Sequence, residues 1–126
     1  MKFSYNTHYF PPAPMMEIRL ARLDESFQIG PLTALVDTGA DASLIPMQYL
    51  TSLQLQPDNR KYLRSQWGEA RLVDTYWVDI GIGDLRLPFI EVIADELGDE
   101  VIIGRNLLNK LNLQLAGPRR QLVVSE

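Results

Sequence analysis

An all-β chain with one short helix near its C-terminus is predicted by three observations. Apolar runs with strand-like alternation recur along the chain, as in Met16-Glu17-Ile18-Arg19-Leu20. Turn-forming clusters such as Asp24-Glu25-Ser26 and Gly81-Ile82-Gly83-Asp84 separate them. Helical spacing is held only briefly, by Met47, Leu50 and Leu53 after Pro46 and by Leu107, Leu108 and Leu111.

Taken in order, residues 1–14 end in Pro11-Pro12-Ala13-Pro14, which favours an extended polyproline form and cannot join a central sheet; they are expected to be an N-terminal arm or a processed leader. The folded domain is expected over residues 15–126. It opens on the strand around Met16–Leu20, with Met16, Ile18 and Leu20 on one face. A second strand, Phe27 to Val36, is interrupted by Gly30-Pro31 and runs into Asp37; Ser43-Leu44-Ile45 is a short strand after it. Gln56-Pro57-Asp58-Asn59-Arg60 is a surface turn. A long hairpin follows, Lys61 to Gln66 outward and Ala70 to Ile80 back, tipped by Trp67-Gly68-Glu69. Its return arm carries Arg71, Asp74 and Asp79 among apolar residues, so the ribbon is expected to project beyond the core. Leu85 to Ala94 is a strand containing Pro88, residues 95–100 an acidic surface loop, and Val101-Ile102-Ile103 a strand that meets Gly104 and then the helix. Gln121 to Val124 is the final strand.

At 126 residues, 46% of them hydrophobic and 22% charged, the chain is one globular domain with a real core but too little length for two lobes. A net charge of -4 with only two adjacent basic pairs, Arg60-Lys61 and Arg119-Arg120, argues against nucleic-acid binding, which needs a clustered basic face. There is no cysteine and one histidine, His8, so neither a thiolate nucleophile nor a zinc site is expected, and no cofactor or metal. The first ten residues have no continuous apolar stretch and nothing later approaches a membrane-spanning length; a cytoplasmic protein with no membrane partner is the expectation.

Chemistry concentrates in Leu35-Val36-Asp37-Thr38-Gly39-Ala40-Asp41. A carboxylate at the end of an apolar strand is costly to bury unless donors meet it, and Gly39 lets the backbone fold close enough to supply N–H groups. Asp-Thr-Gly alone would arise by chance in roughly two chains in a hundred of this length, so it is weak by itself. Here it is joined by Ser43-Leu44-Ile45 and by Val101-Ile102-Ile103-Gly104-Arg105-Asn106-Leu107-Leu108 further on. Together these segments closely resemble the retropepsin-like aspartic proteases. The layout matches over about residues 15–116, with residue-level agreement in 35–46 and 101–111.

The resemblance implies a β-rich half-barrel, one lobe per chain, working as a homodimer in which each chain supplies one aspartate, Asp37, to hydrolyse an extended peptide substrate. Two full charges about 3 Å apart at an effective dielectric near 20 repel by roughly 5 kcal/mol, so the pair shares one proton and activity is expected in the acid to weakly acidic range. By the same resemblance Thr38 interlocks with the partner loop, Gly39 approaches carboxylate and substrate, Ala40 leaves room for the substrate, and Asp41 pairs with Arg105. Gly104 lets the helix pack tightly behind the loop. Gln66, Trp67 and Gly68 would form the tip of a flap over the substrate. The chain departs from the viral pattern in a flap with one glycine and in its termini, which normally build the dimer sheet.

Plainer readings stand beside these. Asp37 as a turn aspartate capping its own loop is disfavoured by the second motif. Trp67 serves equally as a partly buried hairpin aromatic. Leu72-Val73-Asp74-Thr75 repeats the letters before Asp37, but Tyr76 stands where glycine is needed. Gly81-Ile82-Gly83 precedes a strand and fits a turn, not a phosphate cradle. A catalytically silent dimer, binding peptides or serving as structure, is the alternative to a peptidase, since fold alone does not confer activity.

Overall fold

In the computed structural model, which describes residues 1–64 and 68–126, the chain forms two sheets. The larger has seven strands in the order β2-β3-β8-β4-β7-β6-β5 and is rolled nearly shut by an extra pairing of β2 with β6. Its members are β2 (Met15–Ala21), β3 (Ile29–Val36), β4 (Ser43–Pro46), β5 (Asn59–Arg64), β6 (Ala70–Ile82), β7 (Leu85–Asp95) and β8 (Val101–Ile103). The smaller sheet runs β1-β10-β9, from β1 (Lys2–Ser4), β9 (Asn112–Ala116) and β10 (Gln121–Ser125). Among the described residues two short α-helices, α1 (Met47–Ser52) and α2 (Arg105–Leu108), and a 3-10 turn at Gly117–Arg119 complete the fold.

The alternation read from the sequence decides which side of each strand is inside. In β2, Met16, Ile18 and Leu20 are buried while Glu17 and Arg19 face out, the period-two pattern of a half-buried strand. Pro46 precedes α1, which buries Leu50 with Leu53 just beyond it, against β4 and β7. The core gathers Ile18, Ile45, Tyr76, Ile80, Ile103 and Leu107 from both halves of the chain.

Consecutive strands β3 and β4 are not neighbours. β8, from far along the chain, lies between them, parallel to β3 with Val36 opposite Ile103 and antiparallel to β4 with Leu44 opposite Ile102. The loop from Asp37 to Ala42 must therefore cross the end of β8, and this crossing positions the site.

Three features differ from expectation. Residues 2–4, expected in an arm, form β1: Lys2 lies opposite Val123, and the N-terminal ammonium donates to the Val124 carbonyl at 2.6 Å. Pro11 and Pro12 sit instead in an excursion closed by Asn6 and Ala13, whose amides and carbonyls exchange bonds at 2.8 and 3.1 Å. Strand β9 follows α2 in a segment, Asn112-Leu113-Gln114-Leu115-Ala116, that holds no β-branched or aromatic residue and is not assigned a strand from the sequence. And the return arm of the hairpin does not project throughout: from Val73 to Ile82 β6 is mostly buried.

Asp79 shows why. Only 1% exposed, its Oδ1 accepts the Phe89 amide at 2.9 Å, and its Oδ2 accepts the Asp24 amide at 3.0 Å and Arg86 Nε and Nη2 at 3.0 and 2.7 Å. Burial by itself pushes this carboxyl up, but the Phe89 and Asp24 amides and the Arg86 guanidinium outweigh it and hold it below the usual carboxylate range. A depressed native value stabilises the fold at every pH above the ordinary aspartate value of about 3.9, a contribution that disappears as pH falls through the native value. Asp79→Ala is expected to cost about 3 kcal/mol at neutral pH, because it removes the acceptor shared by the Phe89 and Asp24 amides and the Arg86 guanidinium, and to lower Tm by about 10 °C. Thermal melts at neutral pH and near pH 3 check this: the gap between wild type and variant should narrow in acid.

Candidate active site

Asp37 sits one residue past the end of β3. Its amide donates to the Ile103 carbonyl at 3.0 Å, so the backbone is pinned to the last residue of β8 as the loop begins. The turn then closes on itself: the Gly39 amide donates to Asp37 Oδ1 at 2.9 Å, and the Ala40 amide to the Asp37 carbonyl at 3.2 Å. A Cβ on Gly39 would stand 3.2 Å from that same Oδ1, so the glycine keeps the space beside the carboxylate clear. Asp37 is half-buried; Thr38 and Gly39 are exposed. One half-buried carboxylate, with a backbone amide on one oxygen, is what the loop presents.

The second motif supports the first. Gly104 lies under the loop, where a Cβ would fall 2.2 Å from the Ala42 carbonyl oxygen and 2.8 Å from that of Ala40. Those are backbone atoms that cannot swing aside. The Arg105 amide donates to the Ala40 carbonyl at 2.8 Å, its Nη1 to the Thr38 carbonyl at 2.7 Å, and its Nη2 to Asp41 Oδ1. Both partners of the ion pair are largely exposed, so its Coulomb energy is small. What Arg105 does for geometry is clamp the Thr38 and Ala40 carbonyls at once.

Sequence reasoning used Ser43 and Asn106 as motif letters but not as parts of the site. Ser43 is fully buried; its Oγ accepts the Gly104 amide at 3.0 Å and donates to Asn106 Oδ1 at 2.8 Å, while Asn106 Nδ2 donates to the Glu91 carbonyl at 2.8 Å. This chain of bonds joins β4, the start of α2 and β7 behind the loop. The signal was a small hydroxyl residue opening an otherwise apolar strand, which needs an internal partner when buried.

Asp37, Thr38, Gly39, Ala40, Asp41, Gly104 and Arg105 thus lie together around one loop. Of the flap candidates, Gln66 and Trp67 lie outside the described residues; Gly68 is exposed at φ 87°, the left-handed region that favours glycine. The hairpin itself is present, with Leu63 opposite Arg71 and Arg64 opposite Ala70. A cleft of about 460 Å³ lies between its base and the segment after β7, lined by Arg71, Val73, Ala94, Glu96 and Leu97 among others. Among the described residues no group of three or more His, Asp or Glu is placed to hold a metal ion, and no helix is long and apolar enough to cross a membrane.

Known proteins share this fold. The family described as "gag-polyprotein putative aspartyl protease" matches residues 26–110. No curated protein sequence matches the chain. Among solved structures, a retropepsin-like aspartic protease from Rickettsia conorii is similar with a TM-score of 0.69 at 14% identity, over 98% of this chain and 88% of that one. The EIAV protease complexed with the inhibitor HBY-793 is similar with a TM-score of 0.59 at 17% identity, over 86% of this chain and 93% of that one. The retroviral protease-like domain of Ddi1 from Leishmania major gives 0.54 at 16% identity, over 90% of each chain. Because the family match runs unbroken from before Asp37 to beyond Arg105, through both halves of the site, the chain belongs to the retropepsin-like aspartic proteases.

Proposed function

We propose that this protein is an aspartic endopeptidase that acts as a homodimer, with Asp37 of each chain as the catalytic residue. The observation that carries the reading is the half-buried Asp37 carboxylate, held on one oxygen by the Gly39 amide just past the end of an apolar strand. A single carboxylate cannot both take and give a proton in one step; two facing copies can. Water held between them loses a proton to the ionised carboxylate as its oxygen bonds to the scissile carbonyl carbon. The protonated carboxyl gives its proton to the carbonyl oxygen. The tetrahedral diol then collapses, the C–N bond breaks, and the leaving nitrogen takes up a proton.

The rest of the site serves that pair. Arg105 and Gly104 set the height of the loop above α2, and Thr38, exposed at its apex, is placed to meet the partner loop. The hairpin β5–β6 covers the substrate, whose extended backbone adds to it as a strand. Cleavage of a peptide library between about pH 4 and 7, blocked by a pepstatin-like inhibitor, is the expected result. Absence of inhibitor-sensitive cleavage at every pH in that range would refute the assignment.

A further inference from the structure

The strands that lead to Asp37 are apolar on both faces. One face is the core, with Ala34 and Val36 of β3, Ile45 of β4, and Val101 and Ile103 of β8. The residues between them turn the other way. Leu35 lies opposite Ile102 and Ile102 opposite Leu44, so these three form one row across β3, β8 and β4, and Ile93, opposite Leu44, extends it onto β7. None of the four joins the core cluster, and Leu35, Ile102 and Leu44 are only half-buried.

The row begins at the chemistry. Asp37 stands two positions beyond Leu35, and its amide continues the ladder to the Ile103 carbonyl, so by strand alternation its side chain emerges on the row's face. Glu100 marks the other end. It stands two positions before Ile102, and the same alternation turns it to that face. The register of Ala34 with Val101 puts Glu100 level with Thr33, about 7 Å along the strands from Ile102 and about 13 Å from Asp37.

Glu100 Oε1 is buried and has no hydrogen-bond partner. A carboxylate oxygen removed from water without a donor is costly, and a cation or donor that meets it recovers that cost. The other acids of the loop are placed differently: Asp95 Oδ1 accepts the Leu97 and Gly98 amides, both at 3.0 Å, and Glu96 and Asp99 are exposed. An apolar row that starts at the reacting carboxylate and ends at an unpaired acid suits one kind of side chain, a long aliphatic stem with a positive tip. Lysine and arginine lay their stems along apolar surface while the charged head seeks a polar partner.

Resting on the peptidase reading above, we propose that the substrate is a peptide with lysine or arginine beside the scissile bond, its stem on Leu35, Ile102 and Leu44 and its charge on Glu100. In a homodimer the second copy offers the same row to the residue on the other side of that bond.

The test compares matched fluorogenic peptides that carry lysine, norleucine or glutamate beside the scissile bond. Wild type should cleave the lysine peptide with a kcat/KM about tenfold above the norleucine peptide and about a hundredfold above the glutamate peptide. Glu100→Gln, which is expected to melt as wild type does, should bring the lysine-to-norleucine ratio to within about threefold of one, and Glu100→Lys should favour glutamate over lysine. A wild type indifferent to the three, or a lysine preference that survives Glu100→Gln, would overturn the assignment. Binding of the same peptides to the Asp37→Asn protein, read by fluorescence anisotropy, separates this from the peptidase reading, because no Asp37 charge remains there to attract lysine. If wild type cleaves none of the panel, a lysine selectivity in binding that vanishes when Glu100→Gln is added would sink the peptidase reading and leave the Glu100 site standing. Equal binding of all three peptides would overturn the site.

Discussion

Asp37→Asn is expected to lower peptide cleavage by on the order of a hundredfold or more while leaving fold and self-association near those of wild type. The carboxamide has nearly the shape of the carboxylate, and its oxygen still accepts the Gly39 amide, so the loop should close as before. What it cannot do is take the proton of a water molecule. In a homodimer the substitution removes both acids together. Mixing experiments sharpen the test: a variant chain combined with wild type leaves one acid in each mixed dimer, so a large excess of variant should suppress wild-type activity. The check is the initial rate on a fluorogenic peptide, with melting and mass measured in parallel. Unchanged cleavage by the pure variant would remove Asp37 from the chemistry.

The second large effect belongs to Gly104. Gly104→Ala puts a methyl carbon 2.2 Å from the Ala42 carbonyl oxygen, well inside van der Waals contact, against backbone tied on both sides. The Gly104 amide is held by Ser43 and the following amide by the Ala40 carbonyl, so relief requires α2 and the loop to separate. We expect a loss of about 3–4 kcal/mol, or a Tm lower by about 10 °C or more, comparable to the worst overpacking of a core. Activity should fall further than stability alone dictates, because the displaced atoms are the Ala40 and Ala42 carbonyls of the loop that presents Asp37. Calorimetry, with peptide cleavage measured well below the melting temperature, separates the two effects. A fully stable and fully active Gly104→Ala protein would show that loop and helix are not packed as described.

These two residues mark how far sequence reading reached. Asp37 and Gly104 stood out because each is the unusual residue at the end of an apolar β-branched run, and such a run ends at an acid or a glycine only where something specific is needed. Period-two alternation, as in Met16, Ile18 and Leu20, also carried over to the structure, since alternation is a local property of the pleat. Asp79 went the other way. By its letters it was one more charge on an exposed ribbon; in the fold it is a buried acid satisfied by two amides and an arginine from other segments.

The chain alone therefore determined most of the local pieces: the apolar alternating runs that are strands, many of the turns between them, and the loop that offers a carboxylate, though not β1 or β9. The tertiary structure decided what local pattern does not encode. It set β8 between β3 and β4 so that the Asp37 loop must cross above Gly104. It gave β1 to β10 of the same chain and left β9 as an uncharged edge. The physical reason is range. Alternation and turn propensity depend on residues a few positions apart, whereas the pairings that build the site join Val36 to Ile103 and Lys2 to Val123, contacts fixed only when the whole core closes.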